Sequence, residues 1–326
     1  MEGTESIRAA SPAARAASAL DKGVNLGNAL EAPREGEWGV TLEENDFDLI
    51  RRAGFRAVRI PVRWSAHAAT RPPYMIEEDF FRRIDWVLDQ ARQRGLTAVL
   101  NAQHWENFSA DPSAQAARLE AVWMQISQRY RVQPESLVFE IFNEPHDIRP
   151  EIWNPIQLRV LSKIRAISPE RVVLLSSTDW SSVKGLKDLQ LPDRDPAVMA
   201  TFHYYAPYPF THQGAHWAKD SDRWLGTRWQ DAEPEREAIR RDFQTAADWS
   251  KQNGVPVFLG EFGAFEKAPM DDRVRWTRRV ARTAEALGLP WCYWEFRSHF
   301  GVYDLRTSAW RLPLLRALLP DAPPDS

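Results

Sequence analysis

The chain has 326 residues, of which 44% are hydrophobic and 27% charged, with a formal net charge of -3. That length suits one α/β barrel, which takes roughly 250 residues, better than a string of small domains. The near balance of signs gives no basic face for nucleic acid or an anionic membrane, so neither partner is expected.

The single cysteine, Cys292, excludes an intrachain disulfide, and its apolar run Pro290-Trp291-Cys292-Tyr293-Trp294 suits a buried thiol better than a nucleophile. No stretch of 18 apolar residues is present, so no membrane span is expected. Residues 1–20 are Ala-rich and lack the apolar core of a signal peptide. They read as an N-terminal extension, followed by a catalytic barrel over 21–319 and a tail over 320–326. Fifteen tryptophans are more than packing alone asks for. Most belong in a core, and some fit a site that stacks sugar rings.

From the N-terminus, the first strand candidate is Val24–Leu30, followed by a helix over Leu42–Ala53. The pattern continues with strand Ala57–Val62 and helix Glu77–Arg94, strand Thr97–Ala102 and helix Ala114–Tyr130, strand Leu137–Asn143 and helix Glu151–Ile167. Next come strand Val172–Ser177 with a weak helical turn at Val183–Leu189, and strand Val198–Tyr204 with helix Arg236–Gln252. Strand Val257–Glu261 with helix Asp271–Leu287, then strand Trp291–Phe296 with helix Trp310–Leu319, complete the series. The helices repeat apolar residues at three and four, as in Phe81, Ile84, Val87, Leu88 and Ala91. Gly54, Gly95, Gly254 and Gly288 mark helix stops. Eight alternating units require a parallel sheet with right-handed crossovers, and the expected fold class is an α/β (β/α)₈ TIM barrel in a single domain. A doubly wound open sheet is the alternative, but Gly23-Val24-Asn25-Leu26-Gly27-Asn28 lacks the spacing of a phosphate-binding turn.

Reacting groups in such barrels sit where strands end. The fourth strand ends Phe139-Glu140-Ile141-Phe142-Asn143-Glu144-Pro145, and the seventh ends Gly260-Glu261-Phe262-Gly263. A carboxylate at an apolar strand mouth loses several kcal/mol of hydration unless paired. One such glutamate reads as readily as a rim salt bridge; two, Glu144 and Glu261, are the minimum equipment for glycoside hydrolysis. Arg59 ends the second strand and can keep Glu261 ionised. Asn143 beside Glu144 can bond a sugar 2-hydroxyl. His104 follows the third strand, His203 and Tyr205 end the sixth, and Trp294 in the eighth can floor a sugar subsite. His212 and His216 have the spacing of a helical metal pair, but Pro209 and Gly214 oppose a helix there. No G-x-S-x-G elbow exists. No nucleotide, flavin or metal motif is found, so neither cofactor nor metal is expected.

These residues resemble glycoside hydrolase family 5, over roughly residues 22–318. The carrying positions are Arg59, His104, Asn143, Glu144, His203, Tyr205, Glu261 and Trp294. The stretches Gly23–Pro33, Glu35–Gly39, Phe210–Ala215 and Tyr293–Phe296 are closest to the bacterial thermophile-type endoglucanases, some of which cut mannan as well. The resemblance implies Glu144 as acid/base, Glu261 as nucleophile, and Asn25, Glu31, Trp38, His212 and Trp217 along glycone-side or flanking subsites. Relatives often carry two histidines where this chain has Gln103-His104, which leaves the substrate preference open there. The expectation is an endo-acting retaining β-1,4-glucanase on a polysaccharide substrate, with β-1,4-mannanase or dual action as the alternative. A non-catalytic carbohydrate-binding barrel is the less favoured reading. A monomer is expected. The substrate favours a secreted or periplasmic location, although no signal peptide is visible. No Ser/Pro-rich linker to a binding module follows, so soluble or amorphous chains are the expected substrates.

Overall fold

Short apolar runs bounded by turns form strands that are buried on both faces, and the amphipathic stretches between them form the helices that cover them. The computed structural model describes residues 11–323. In chain order the elements are α1 (Pro12–Leu20), β1 (Lys22–Asn25), α2 (Glu44–Ala53), β2 (Ala57–Ile60), α3 (Glu78–Gln93), β3 (Thr97–Asn101), α4 (Pro112–Arg129), β4 (Leu137–Glu140), α5 (Pro150–Ile167) and β5 (Val173–Ser176). Then follow β6 (Val198–Tyr204), α6 (Tyr208–Thr211), α7 (Glu233–Asn253), β7 (Val257–Phe262), α8 (Met270–Ala286), β8 (Trp291–Tyr293), the hairpin β9 (Tyr303–Asp304) and β10 (Ala309–Trp310), and α9 (Leu312–Leu318). Strands β1 to β8 pair in sequence order, all parallel, and β8 closes onto β1 as a barrel.

The helix stops fall as the sequence indicates: Gly54, Gly95, Gly254 and Gly288 all have positive φ, which a residue without Cβ adopts at little cost. After β5 the crossover is only the 3₁₀ turn Val183–Asp188, started by Ser182, whose hydroxyl accepts from the Gly185 amide. Several strands are shorter than the sequence suggests. β1 stops at Asn25 because the chain turns through Asn28, with φ of 64°, and Glu31 accepts the Asn28 and Ala29 amides. β8 stops at Tyr293, and the β9–β10 hairpin beyond it carried no sequence signal.

One boundary shifts. Residues 12–20, expected as extension, form α1, whose Ala13, Ala16 and Leu20 pack against Ala57, Val99, Val138, Leu174, Met199, Phe258 and Cys292 inside the barrel. The helix therefore plugs the N-terminal mouth of the barrel. Residues 1–10 of the expected extension and 324–326 of the expected tail lie outside the described residues.

Inside the barrel, period-two alternation changes the lining from apolar to polar. Ala57 is followed by Arg59 on the same face, Val99 by Asn101, Val138 by Glu140, and Met199 by Thr201 and His203. The lower layers are thus a dry core and the upper layer is a polar floor. Four buried tryptophans hold the strand ends around it. Trp64 Nε1 donates to the Asn101 carbonyl at 2.9 Å, Trp123 to Ile141 at 2.9 Å, Trp153 to Ser176 at 2.7 Å, and Trp276 to Ala206 at 3.0 Å. These carbonyls lie where the strand ladders end, so the indoles satisfy acceptors that would otherwise be stranded. Part of the tryptophan excess is explained in this way.

Candidate active site

β2, β4, β6 and β7 each deliver one or more polar side chains to that floor. Arg59 is fully buried and uses all five of its N–H donors. Nε and Nη2 grip Glu140 at 2.7 Å each, Nη2 also reaches Asn143 Oδ1 at 2.7 Å, and Nη1 reaches Asn25 Oδ1 at 2.9 Å and Glu261 Oε1 at 2.7 Å. Burial works against the guanidinium charge, but Glu140 and Glu261 outweigh it and raise its pKa.

Glu261 accepts a second bond from the Tyr205 hydroxyl, on Oε2 at 2.9 Å. Burial pushes its carboxyl up, while His203, the Arg59 charge and the Tyr205 hydroxyl pull the other way. Glu144, with φ of 45° just past β4, has neutral neighbours instead: His203 Nδ1 at 2.7 Å and Asn143 Nδ2 at 3.4 Å. Burial takes it up to about 7, against the pull of Arg59 and His146. The cation touches Glu261 directly, whereas the hydrogen-bond partners of Glu144 are an imidazole and an amide, so the two carboxyls sit in unlike surroundings.

His203 stands between them, with Nδ1 3.6 Å from Glu261 Oε2. Burial holds its ring neutral, down to about 4, although Glu261 pulls it up. One ligand-type atom each from Glu144, His203 and Glu261 lie within 4.8 Å of one another, so the two carboxylates face each other at close range.

This pairing depends on a bulge. Phe202 pairs with Leu259 but His203 pairs with Glu261, so Gly260 is an extra residue in β7. Leu259 and Phe262 belong to the outer core beneath the helices, whereas Glu261 points inward. A Cβ on Gly260 would lie 2.8 Å from both His203 Nε2 and Thr201 Oγ1, so the bulge needs glycine.

Beside Glu144 opens a cleft of about 340 Å³, lined by Arg63, His104, Trp105, Asn107, His146 and Trp180, among others. Trp180 is half-exposed and stacks on His146 with centroids 3.6 Å apart, and His146 Nδ1 is 2.8 Å from the Glu144 carbonyl. Asp179, Trp180 and Ser181 all have positive φ, a run that costs roughly 1–2 kcal/mol per residue and fixes the indole in place. Trp38 meets His104 edge-on at 5.5 Å and is exposed, as is Trp217; half-buried Trp294 lies over Gly27, where a Cβ would come within 3.0 Å of the indole.

The structure thus gathers Arg59, Asn143, Glu144, His203, Tyr205 and Glu261 into one network and leaves His104, Trp38, Trp217 and Trp294 on accessible walls. Two expected sugar contacts need correction. Asn25 is fully buried and its amide is fully used: Nδ2 donates to the Gly260 carbonyl at 2.9 Å and the Tyr293 carbonyl at 3.2 Å, and Oδ1 takes Arg59. Glu31 is buried and its oxygens accept the amides of its own turn, with burial pushing it up to about 8. Both shape the site from within. Gln103 is buried, with Oε1 3.5 Å from Asn101 Nδ2. His212 caps α6 and stacks on Tyr208 at 4.0 Å, while His216 lies beyond the helix end against Trp217, so the two share no helix face.

Sequence reasoning missed Glu140, His146, Trp180 and Glu295. Glu140 was visible as a charge inside an apolar strand, and Trp180 follows the end of β5 just as the recognised residues follow theirs. Glu295 is buried and accepts from Asn28 Nδ2 and the Phe300 amide. Burial takes it up to about 7.

A closed β/α barrel with two facing glutamates at the C-terminal ends of β4 and β7, one of them bonded to a buried arginine, defines a carbohydrate-cleaving architecture. The cellulase pattern, glycosyl hydrolase family 5, matches residues 21–300. The chain belongs to that family. It is 42% identical to Thermotoga maritima Cel5A, whose structure with mannotriose superposes with a TM-score of 0.92 over 94% of this chain and 99% of that one. The cellulose synthase subunit Z of Clostridioides difficile is 33% identical, with a TM-score of 0.89 over 92% of this chain and 99% of that one. Endoglucanase H of Acetivibrio thermocellus is 34% identical over 306 residues; the match takes in 92% of this chain and about a third (33%) of that protein.

Proposed function

We propose that this chain is an endo-acting β-1,4-glucanase that cleaves with retention of configuration. The observation that carries the reading is the close approach of Glu144 and Glu261, with oxygens within 4.8 Å. Retaining enzymes place the two carboxyls about 5–5.5 Å apart, whereas inverting ones leave about 6.5–9.5 Å for a water. In the first step Glu144 gives its proton to the glycosidic oxygen as a Glu261 oxygen attacks the anomeric carbon. The C–O bond to the leaving chain breaks and a glycosyl ester on Glu261 forms. Glu144, now ionised, takes a proton from water, whose oxygen displaces Glu261. Tyr205 and Arg59 hold the nucleophile, His203 bridges the two carboxyls, and Asn143 faces the sugar 2-hydroxyl. Trp180 and His104 line the leaving-chain side; Trp38, Trp217 and Trp294 serve the other walls.

Relatives support the substrate class: Thermotoga maritima Cel5A has been solved with cellobiose and with mannotriose. That pair of complexes favours a second reading, in which the same cleft accepts β-1,4-mannan. Product profiling on soluble β-glucans and mannans decides between single and dual action, and polarimetry of the first-formed anomer tests retention. Inverted product, or loss of polysaccharide binding together with activity in Glu261→Gln, would overturn the mechanism.

A further inference from the structure

We propose that Glu140 is a positioning residue that keeps Glu261 free to attack, by occupying the edge of Arg59 that would otherwise clamp it. The inference rests on the reading of Glu261 as nucleophile. An arginine offers a carboxylate two parallel N–H bonds along one edge, and that bidentate pairing is its preferred geometry. Glu140 takes this edge: Nε to Oε2 and Nη2 to Oε1, both at 2.7 Å, with neither residue exposed. Glu261 is left with one bond, from Nη1 to Oε1 at 2.7 Å. Its other oxygen, Oε2, faces the Tyr205 hydroxyl at 2.9 Å and His203 Nδ1 at 3.6 Å, on the side of Glu144. A carboxylate held by both oxygens on a guanidinium would have neither free for an anomeric carbon.

The fork also sets direction. With its Nε edge pinned, the remaining donors of Arg59 can point only at Asn25, Glu261 and Asn143, and Asn143 carries its amide on to Glu144 Oε2 at 3.4 Å. Asn101 Nδ2, 3.4 Å from Glu140 Oε1, braces the carboxylate from β3. Glu140 lies within β4 and is fully buried, so it acts through Arg59 and touches no sugar. It also shares the charge: one guanidinium serves two buried carboxylates, so Glu261 is paired without being fully neutralised.

The test is Glu140→Gln. The glutamine amide keeps the shape but turns an N–H₂ toward a donor edge, which frees Arg59 to swing onto both oxygens of Glu261. Glycosylation is read with a 2-deoxy-2-fluoro-β-cellobioside carrying a dinitrophenolate leaving group, which needs no acid. Wild-type enzyme should be labelled on Glu261; a label elsewhere, or none, sinks the nucleophile reading itself. Given that label, Glu140→Gln should be labelled about 100-fold more slowly, with KM for cellodextrins little changed. The acidic limb of its kcat/KM profile should move to lower pH, because Arg59 then serves Glu261 alone. Wild-type labelling rate with an unmoved acidic limb would overturn the proposal, as would a loss confined to KM. If the glutamine variant does not fold, Glu140→Asp is put to the same measurements: its shorter carboxylate keeps the charge but loosens the fork, so labelling should slow with the acidic limb in place, and unslowed labelling refutes the proposal.

Discussion

His203 stands opposite Glu261 in the β6–β7 ladder because Gly260 is an extra residue between Leu259 and Glu261. Were alternation unbroken from Leu259 through Gly260, Glu261 would share the outward face with Leu259, which packs beneath the helices. Gly260→Ala is therefore expected to be costly. Its methyl would have to displace His203 and Thr201, each 2.8 Å away, with a loss of about 1–3 kcal/mol of stability. Activity should fall more than stability, since His203 lies against both glutamates. Thermal unfolding and kcat measured together check this; an alanine variant with wild-type kcat would contradict the role given to the bulge.

The two glutamates should separate by leaving group. Glu144→Gln is expected to lose activity on polymer yet keep much of its glycosylation rate on aryl cellobiosides whose leaving group needs no proton, while the second step, left without its base, should be slow and be restored by added azide. Glu261→Gln should be inactive on both while still binding polysaccharide. Equal losses on both substrate types in Glu144→Gln would remove it from the proton-donor role.

Stability should fall as pH rises from about 6.5 to 8, and the sign follows from which groups titrate there. Buried Glu31 holds its proton up to about 8 and Glu144 and Glu295 up to about 7, against 4.5 for a free carboxyl. A raised folded-state pKa gives stability that is complete below the unfolded value and lost as pH climbs through the folded one. Burial does the opposite to His203 and His212, down to about 4 and about 3 from 6.5, so they add stability as pH rises toward 6.5 and nothing above it. Below 6.5 the two sets oppose each other; above it only the carboxyls act. Melting temperatures across this window should decline, and Glu31→Gln should flatten the decline above pH 7. A flat wild-type profile would remove the buried, protonated carboxyls from the account.

The strand-end tryptophans predict a more local effect. Trp153→Phe keeps the ring but leaves the Ser176 carbonyl without its 2.7 Å donor. Loss of one buried hydrogen bond costs about 1–3 kcal/mol. Trp180, which follows β5, should shift as well, raising KM for polymer more than it lowers kcat. Kinetics alongside denaturant unfolding distinguish this from a purely global loss.

At the other mouth of the barrel, Leu20→Ala would hollow the plug formed by α1. A fully buried leucine cut to alanine costs about 2–5 kcal/mol. Activity at low temperature should persist, because α1 lies at the end of the barrel opposite the glutamates. Loss of activity without loss of stability would be inconsistent with that placement.

Local chemistry was legible in the chain alone. Strand–helix alternation, glycine stops and a carboxylate at each of two strand mouths follow from period and polarity, and they led to the barrel, to Glu144 and Glu261, and to Arg59 beside them. The residues that govern the site through others were not legible. Asn25 read as a sugar contact because nothing in its neighbours reveals that Gly260, Tyr293 and Arg59 consume its amide. Glu140 read as one more strand residue because its partner lies 81 positions away. The parity of Glu261 depends on a bulge that only the β6–β7 register displays. Periodicity reports which face a side chain takes along its own element. Hydrogen-bond satisfaction, charge sharing and register are properties of pairs brought together by closure of the barrel, and those the tertiary structure alone decides.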